Sequence, residues 1–120
     1  MTNALEKRLI NYSVSIIKLS ANLKNIEASQ VLRTQILRSG TSPALNYGEA
    51  QNAESKRDFV HKVRIGFKEL RETNVNLMII EKAALCRNEK LLRELLTETG
   101  ELLAIFTSIL KTASKNIQTN

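Results

Sequence analysis

Asp58-x-x-His61 sets a carboxylate and the chain's one imidazole a helical turn apart, a spacing from which two ligands can reach one metal ion. The ligand set goes no further. There is no second histidine, so a di-metal site built from paired Glu-x-x-His motifs cannot be assembled. Glu69/Glu72 and Glu98/Glu101 are carboxylate pairs at i, i+3, and such pairs can divide acid and base roles. On a charged helix the same spacing serves surface ion pairs, which is the reading taken for both. Cys86, the single cysteine, falls near the end of an expected helix and not at its positive start, so nothing there activates it as a nucleophile. The four glycines are scattered and form no phosphate-cradling loop. The chain therefore reads as a non-enzyme, with no catalytic residue, no metal site and no cofactor.

The side chains that do line up are cationic. At about 100° of turn per residue, Arg57, His61, Arg64, Lys68 and Arg71 fall on one line of a helix. Phe59, Val63, Gly66 and Leu70 fall on the opposite line. Between Ser55 and Arg71 there are six basic and two acidic residues, a local charge of +4 out of +6 for the whole chain. Arg57 to Arg71 spans about 20 Å of helix, enough to follow several phosphates. Arg57, Arg64, Lys68 and Arg71 are accordingly the candidate nucleic-acid-binding residues. If they neutralised four phosphates, the log–log salt slope would be about −4. No aromatic residue interleaves the line, so the expected contact is with the backbone, without base stacking and with little sequence preference. A solubilising face is the competing reading, with Glu72 beside Lys68 and Arg71 absorbing part of the charge.

Four helices must position this line. A chain of 120 residues with 42% hydrophobic and 25% charged residues is one domain, 1–120, with enough apolar content for a core. Four glycines and one proline suit a few long helices and disfavour a β-sandwich. Leu5, Leu9, Tyr12, Ile16, Leu19 and Leu23 make a bundle seam in a first helix near 4–24, started by Asn3 and Glu6. A second helix near 26–53 takes Asn25 as its cap and Val31, Leu32, Ile36, Ala44, Leu45 and Tyr47 as apolar contacts. Pro43 within it implies a kink near Gly40–Pro43, or else two short helices with a break. The small residues Ser39, Gly40, Thr41 and Ser42 would let a neighbour approach closely. Ser55-x-x-Asp58 is a capping box for the third helix, near 56–86, whose seam continues through Leu77, Ile80 and Ala84. Asn88 caps the fourth, near 89–114, with Leu91, Leu95, Leu102, Phe106, Ile109 and Ala113 in its main stripe and Leu92, Leu96, Leu103 and Leu110 beside it.

Short connections predict an all-α, antiparallel up-down-up-down four-helix bundle. Val60, Phe67 and the double leucine rows exceed one seam, so self-association is expected as well. A pI of about 9.7 favours anionic partners. One cysteine allows no internal disulfide, the opening MTNALEKRLI lacks a signal-peptide core, and no apolar run approaches membrane-spanning length. A cytoplasmic protein without a membrane partner is expected.

Four blocks in the centre carry a resemblance. Gln35-Ile36-Leu37-Arg38-Ser39-Gly40-Thr41-Ser42, Asn46-Tyr47-Gly48-Glu49-Ala50, Ser55-x-x-Asp58-Phe59 and Lys68-Glu69-x-x-Glu72-Thr73 follow one another in this order. Together they resemble the four helix bundle protein family, which includes proteins encoded by intervening sequences of bacterial 23S rRNA genes. It also includes the accessory variability determinant of diversity-generating retroelements. The resemblance implies a cytoplasmic bacterial bundle that assembles into a homopentamer and, in the retroelement branch, partners a reverse transcriptase and nucleic acid. It also implies structural roles for the motif residues, with Asn46 and Glu49 in buried polar contacts between helices and Asp58 at the helix cap. Where many members carry an aromatic residue, this chain has Val75-Asn76-Leu77. Two readings stand. One is a non-catalytic homo-oligomeric scaffold binding nucleic acid, or a nucleic-acid enzyme such as a reverse transcriptase, through a basic surface. The other is a structural or protein-interaction module with no nucleic-acid role.

Overall fold

A computed structural model describes residues 3–119; residues 1, 2 and 120 of the expected domain lie outside them. Four helices account for the described chain: α1 (Ala4–Ala21), α2 (Glu27–Gln51), α3 (Lys56–Lys82) and α4 (Glu89–Thr119). Three start as their local chemistry dictates. Asn3 accepts from the Glu6 N–H at 2.8 Å, Ser55 from the Asp58 N–H at 3.0 Å and Asn88 from the Leu91 N–H at 3.1 Å, each satisfying a donor that the first turn leaves open. The start of α2 differs from expectation. Ile26, in extended backbone, takes the cap position with no side-chain bond, and Asn25 does not serve.

Two helices end earlier than their seams suggest, for one reason. Asn22 caps α1, its backbone N–H on the Leu19 carbonyl and its amide on the Lys18 carbonyl. Ala84, past the end of α3, turns into the left-handed region at φ 55°. Leu23 and Cys86 are thereby free to pair as an isolated antiparallel bridge between the α1–α2 and α3–α4 connections. The Lys24 N–H donates to the Leu85 carbonyl at 2.7 Å and the Arg87 N–H to the Asn22 carbonyl at 2.8 Å. Ala84, expected in the seam, is exposed in that turn. At the other end, α4 continues past the expected 114 to Thr119. Pro43 lies buried inside α2, which passes through it as one helix of 25 residues, so the second helix is not split in two.

Each helix packs against the next in sequence, and α4 returns to α1 through a sparser contact. Leu9, Tyr12, Ile16, Leu19 and Leu23 from α1 and its end meet Leu32, Ile36 and Tyr47 of α2 in the core. Val63, Leu70, Leu77 and Ile80 of α3 and Leu92, Leu95, Leu102 and Phe106 of α4 complete it. Val31 and Leu45, expected as α2 contacts, instead face outward at 57% and 69% exposure. Two glycines let helices close up: a Cβ on Gly40 would lie 2.7 Å from Ile16 Cγ2, and one on Gly66 would lie 2.9 Å from Phe106 Cε2. Two buried hydroxyl pairs cross between helices, Tyr12–Thr99 at 2.7 Å and Ser39–Thr73 at 2.9 Å. These occupy the inter-helix polar role expected of Asn46 and Glu49. The Asn46 amide donates within α2 to the Ser42 carbonyl and hydroxyl, and Glu49 is exposed, 3.7 Å from Lys62 Nζ. No helix among the described residues is long and apolar enough to cross a membrane.

Candidate nucleic-acid interface

The inner line of α3 is buried at Val63, Gly66 and Leu70, with Phe59 half-buried, and that fixes the direction of the outer line. Arg57, His61, Arg64, Lys68 and Arg71 are all exposed. None of the four arginine and lysine side chains makes an ion pair or a side-chain hydrogen bond. The nearest acids are engaged elsewhere. Arg38 of α2 reaches across with one guanidinium nitrogen 2.9 Å from Glu69 and the other 2.7 Å from Glu72. The hydrogen bond that Arg38 donates to Glu72, with the charge of Glu69 beside it, raises the Arg38 pKa above its ordinary value. Glu72, which the competing reading has absorbing part of the charge of Lys68 and Arg71, is thus engaged by the neighbouring helix.

Beside this line runs an open groove of about 770 Å³ between α2 and α3. Arg64, Lys68 and Arg71 border it; Arg57 lies outside, nearer the start of α3. Arg38 and Gln35 close the α2 side, and Phe67, Val75, Asn76 and Ile79 supply the rest of the α3 side. Four cations and one carboxylate, Glu72, therefore surround a partly apolar floor. Sequence reasoning missed Arg38 and this floor. The i, i+3 pair Glu69/Glu72 was the available signal, because two carboxylates on one helix face want a cation from a neighbour. Which residue supplies it depends on the register between α2 and α3, and periodicity within one helix does not contain that.

The other reactive types sit as follows. His61 is exposed, and no group of three or more His, Cys, Asp or Glu among the described residues could hold a metal ion. Glu98 and Glu101 both meet Arg8 of α1, at 2.6 Å and 2.9 Å, and the Glu98 hydrogen bond raises the Arg8 pKa. Burial raises the pKa of the Cys86 thiol, which donates to the Asn88 carbonyl at 3.3 Å. A thiol kept protonated in this way is a poor nucleophile.

A family model described as 23S rRNA-intervening sequence protein matches residues 3–108. A crystal structure of a protein with unknown function from the S23 ribosomal protein family, from Bacteroides thetaiotaomicron, is similar at 31% identity. The alignment covers 90% of this chain and 99% of that one, with a TM-score of 0.78. No curated protein matches the chain.

Proposed function

The chain belongs to the 23S rRNA-intervening sequence protein family, and from that premise we propose that it is a non-catalytic, self-associating helical scaffold that binds nucleic acid through the basic face of α3. One observation carries this reading. Arg57, Arg64, Lys68 and Arg71 are exposed and without acidic partners, while the adjacent Glu69 and Glu72 are both held by Arg38. The face thereby keeps a positive potential that local salt bridges do not cancel. Arg57, Arg64, Lys68 and Arg71 act as phosphate-seeking cations. An enzyme working on nucleic acid, such as a reverse transcriptase, is a further partner, implied by the resemblance to the retroelement branch.

Self-association, as the homopentamer of that resemblance or another closed ring, would align several such faces and multiply a modest affinity. Its structural support is not where the sequence suggested. Val60 and Leu92 are buried, and Leu96, Leu103 and Leu110 are half-buried against the core. Val75, Met78 and Ile79 of α3 are exposed at 56%, 42% and 44%, and an exposed aliphatic stripe runs along α1: Ile10, Val14 and Ile17 at 46%, 44% and 51%. That stripe also favours the second reading, a protein-interaction module with no nucleic-acid role.

Fluorescence anisotropy with labelled RNA and duplex DNA at several salt concentrations separates the two. Wild-type binding with a log–log slope of about −4, lost in the Arg57/Arg64/Lys68/Arg71→Glu variant, is the expected result. Binding unchanged by the quadruple substitution would refute the assignment of the face. No binding by the wild type would leave the interaction module as the reading.

A further inference from the structure

We propose that the groove between α2 and α3 is a pocket for one unpaired nucleotide, so that the basic face selects single-stranded or looped nucleic acid over duplex. This rests on the nucleic-acid reading above and adds to it the class of ligand.

The inference starts from Asn76. It is only 8% exposed as a residue and borders the groove, and its side-chain amide, still accessible there, forms no hydrogen bond within the chain. A side-chain amide presents an acceptor and two donors, and here they are left open to an occupant of the groove. Ser39 and Thr73, buried between the same two helices, bond each other, whereas the Asn76 amide has no partner of its own. What the fold does not give Asn76, an occupant of the groove can. A nucleobase edge with adjacent donor and acceptor, as adenine presents, pairs with an asparagine amide through two bonds.

The rest of the groove suits the same occupant. Phe67, half-buried, and Val75 and Ile79, 56% and 44% exposed, offer apolar surface to the face of a base. Arg64, Lys68 and Arg71 stand free at the border for its phosphates, with Arg38 opposite. About 770 Å³ falls within the roughly 300–1,000 Å³ of small-molecule pockets. Base stacking, which the sequence did not lead one to expect on the cationic line, thus has a surface beside it. A duplex keeps its base edges paired and its base faces stacked, so it can meet the cations but cannot fill the floor. An acidic peptide matches the cations but brings no planar apolar group to the floor of Phe67, Val75 and Ile79.

The test measures anisotropy at fixed salt for a labelled single-stranded RNA and for the same strand in a perfect duplex. Two variants probe the floor. Asn76→Ala removes the amide, and Val75→Trp fills the groove from an exposed position and spares the core if Asn76→Ala disturbs folding. Circular dichroism confirms helicity in both. The expected result is single-strand binding tighter by about tenfold than duplex, with each floor variant cutting single-strand affinity by about tenfold. Duplex affinity and the salt slope should stay unchanged. Equal affinity for strand and duplex, or floor variants that weaken neither or both alike, would overturn the pocket. If such binding is still lost in Arg64→Glu/Lys68→Glu/Arg71→Glu, the basic face stands and only the pocket falls. If the wild type binds neither probe, both fall. Displacement of the strand by poly-glutamate as readily as by a short RNA would also overturn it.

Discussion

Gly40→Ala and Gly100→Ala are the same chemical change in two helix interiors, and the structure requires opposite signs. In an exposed helix, alanine gains roughly 0.5–1 kcal/mol over glycine through lower backbone entropy in the unfolded chain. Gly100 is exposed, and a Cβ there meets nothing within 4 Å, so the gain should appear in full. At Gly40 the new Cβ would lie 2.7 Å and 2.8 Å from the two γ-carbons of Ile16, which is itself fully buried. Carbon pairs prefer about 3.5–4.0 Å, so α1 and α2 must separate by several tenths of an ångström or Ile16 must leave its rotamer. Overpacking of this kind costs about 1–3 kcal/mol, and the propensity gain offsets only part. At about 2.1 cal/mol/K per residue, a chain of this length converts 1 kcal/mol to about 4 °C in Tm. Thermal melts followed by circular dichroism, at one protein concentration, should show Gly100→Ala up by about 2–4 °C and Gly40→Ala down by about 4–8 °C. In a double-mutant cycle, Ile16→Ala should cost less in the Gly40→Ala background than alone. Equal stabilisation by both alanines would refute the close approach of α1 and α2 at this point.

Tyr12→Phe removes a buried hydroxyl that donates to Thr99 Oγ1, because Thr99 gives its own proton to the Leu95 carbonyl; urea titration should show a loss of about 1 kcal/mol. Burial raises the Tyr12 pKa above the ordinary value of 10.0. The protonated form is thus favoured on folding, its contribution is whole below about pH 10, and it is lost as pH rises toward the folded-state value, less so in Tyr12→Phe. Arg38→Ala should leave stability within about 1 kcal/mol, since the guanidinium is largely exposed. It should nevertheless weaken RNA binding, because Glu69 and Glu72 then become free to pair with Lys68 and Arg71; unchanged anisotropy would contradict the role given to Arg38. Ile10→Lys with Ile17→Lys should shift the mass by light scattering toward the monomer, with helicity retained.

How far the sequence reaches depends on the range of the interaction. Asn3, Ser55 and Asn88 were legible as caps because a cap bonds a donor three residues away. The seams of α1, α3 and α4 were legible because burial follows the helical period. Ile26 was not, since a helix start without a side-chain bond leaves no local mark. The early ends of α1 and α3 were hidden for a related reason: Leu23 looks like a seam residue and Cys86 like a helix end, yet they leave their helices to pair with each other across 62 intervening positions. The groove was least legible. Its parts come from two helices whose relative register no periodicity records, and Asn76 reads in sequence as one polar interruption beside Val75 and Leu77.

The charge of the face is best understood from the same non-local view. The line from Arg57 to Arg71 and the acids Glu69 and Glu72 sit on one helix, and by spacing Glu72 at i+4 from Lys68 could absorb part of the charge. It does not, because Arg38 of α2 holds Glu72 together with Glu69, whose side chain is only 13% exposed. One arginine on the neighbouring helix thereby removes two carboxylates from competition and leaves three border cations unpaired. A positive face is produced by partition of existing charges between two helices, without a larger total. The floor follows the same logic. Residues facing α2 are spent on packing or on Arg38, and Phe67, Val75, Asn76 and Ile79 border the groove beside them. Cations without acids beside an amide open to the groove offer two sets of contacts that a single ligand, anionic at one end and planar with a polar edge at the other, would make together.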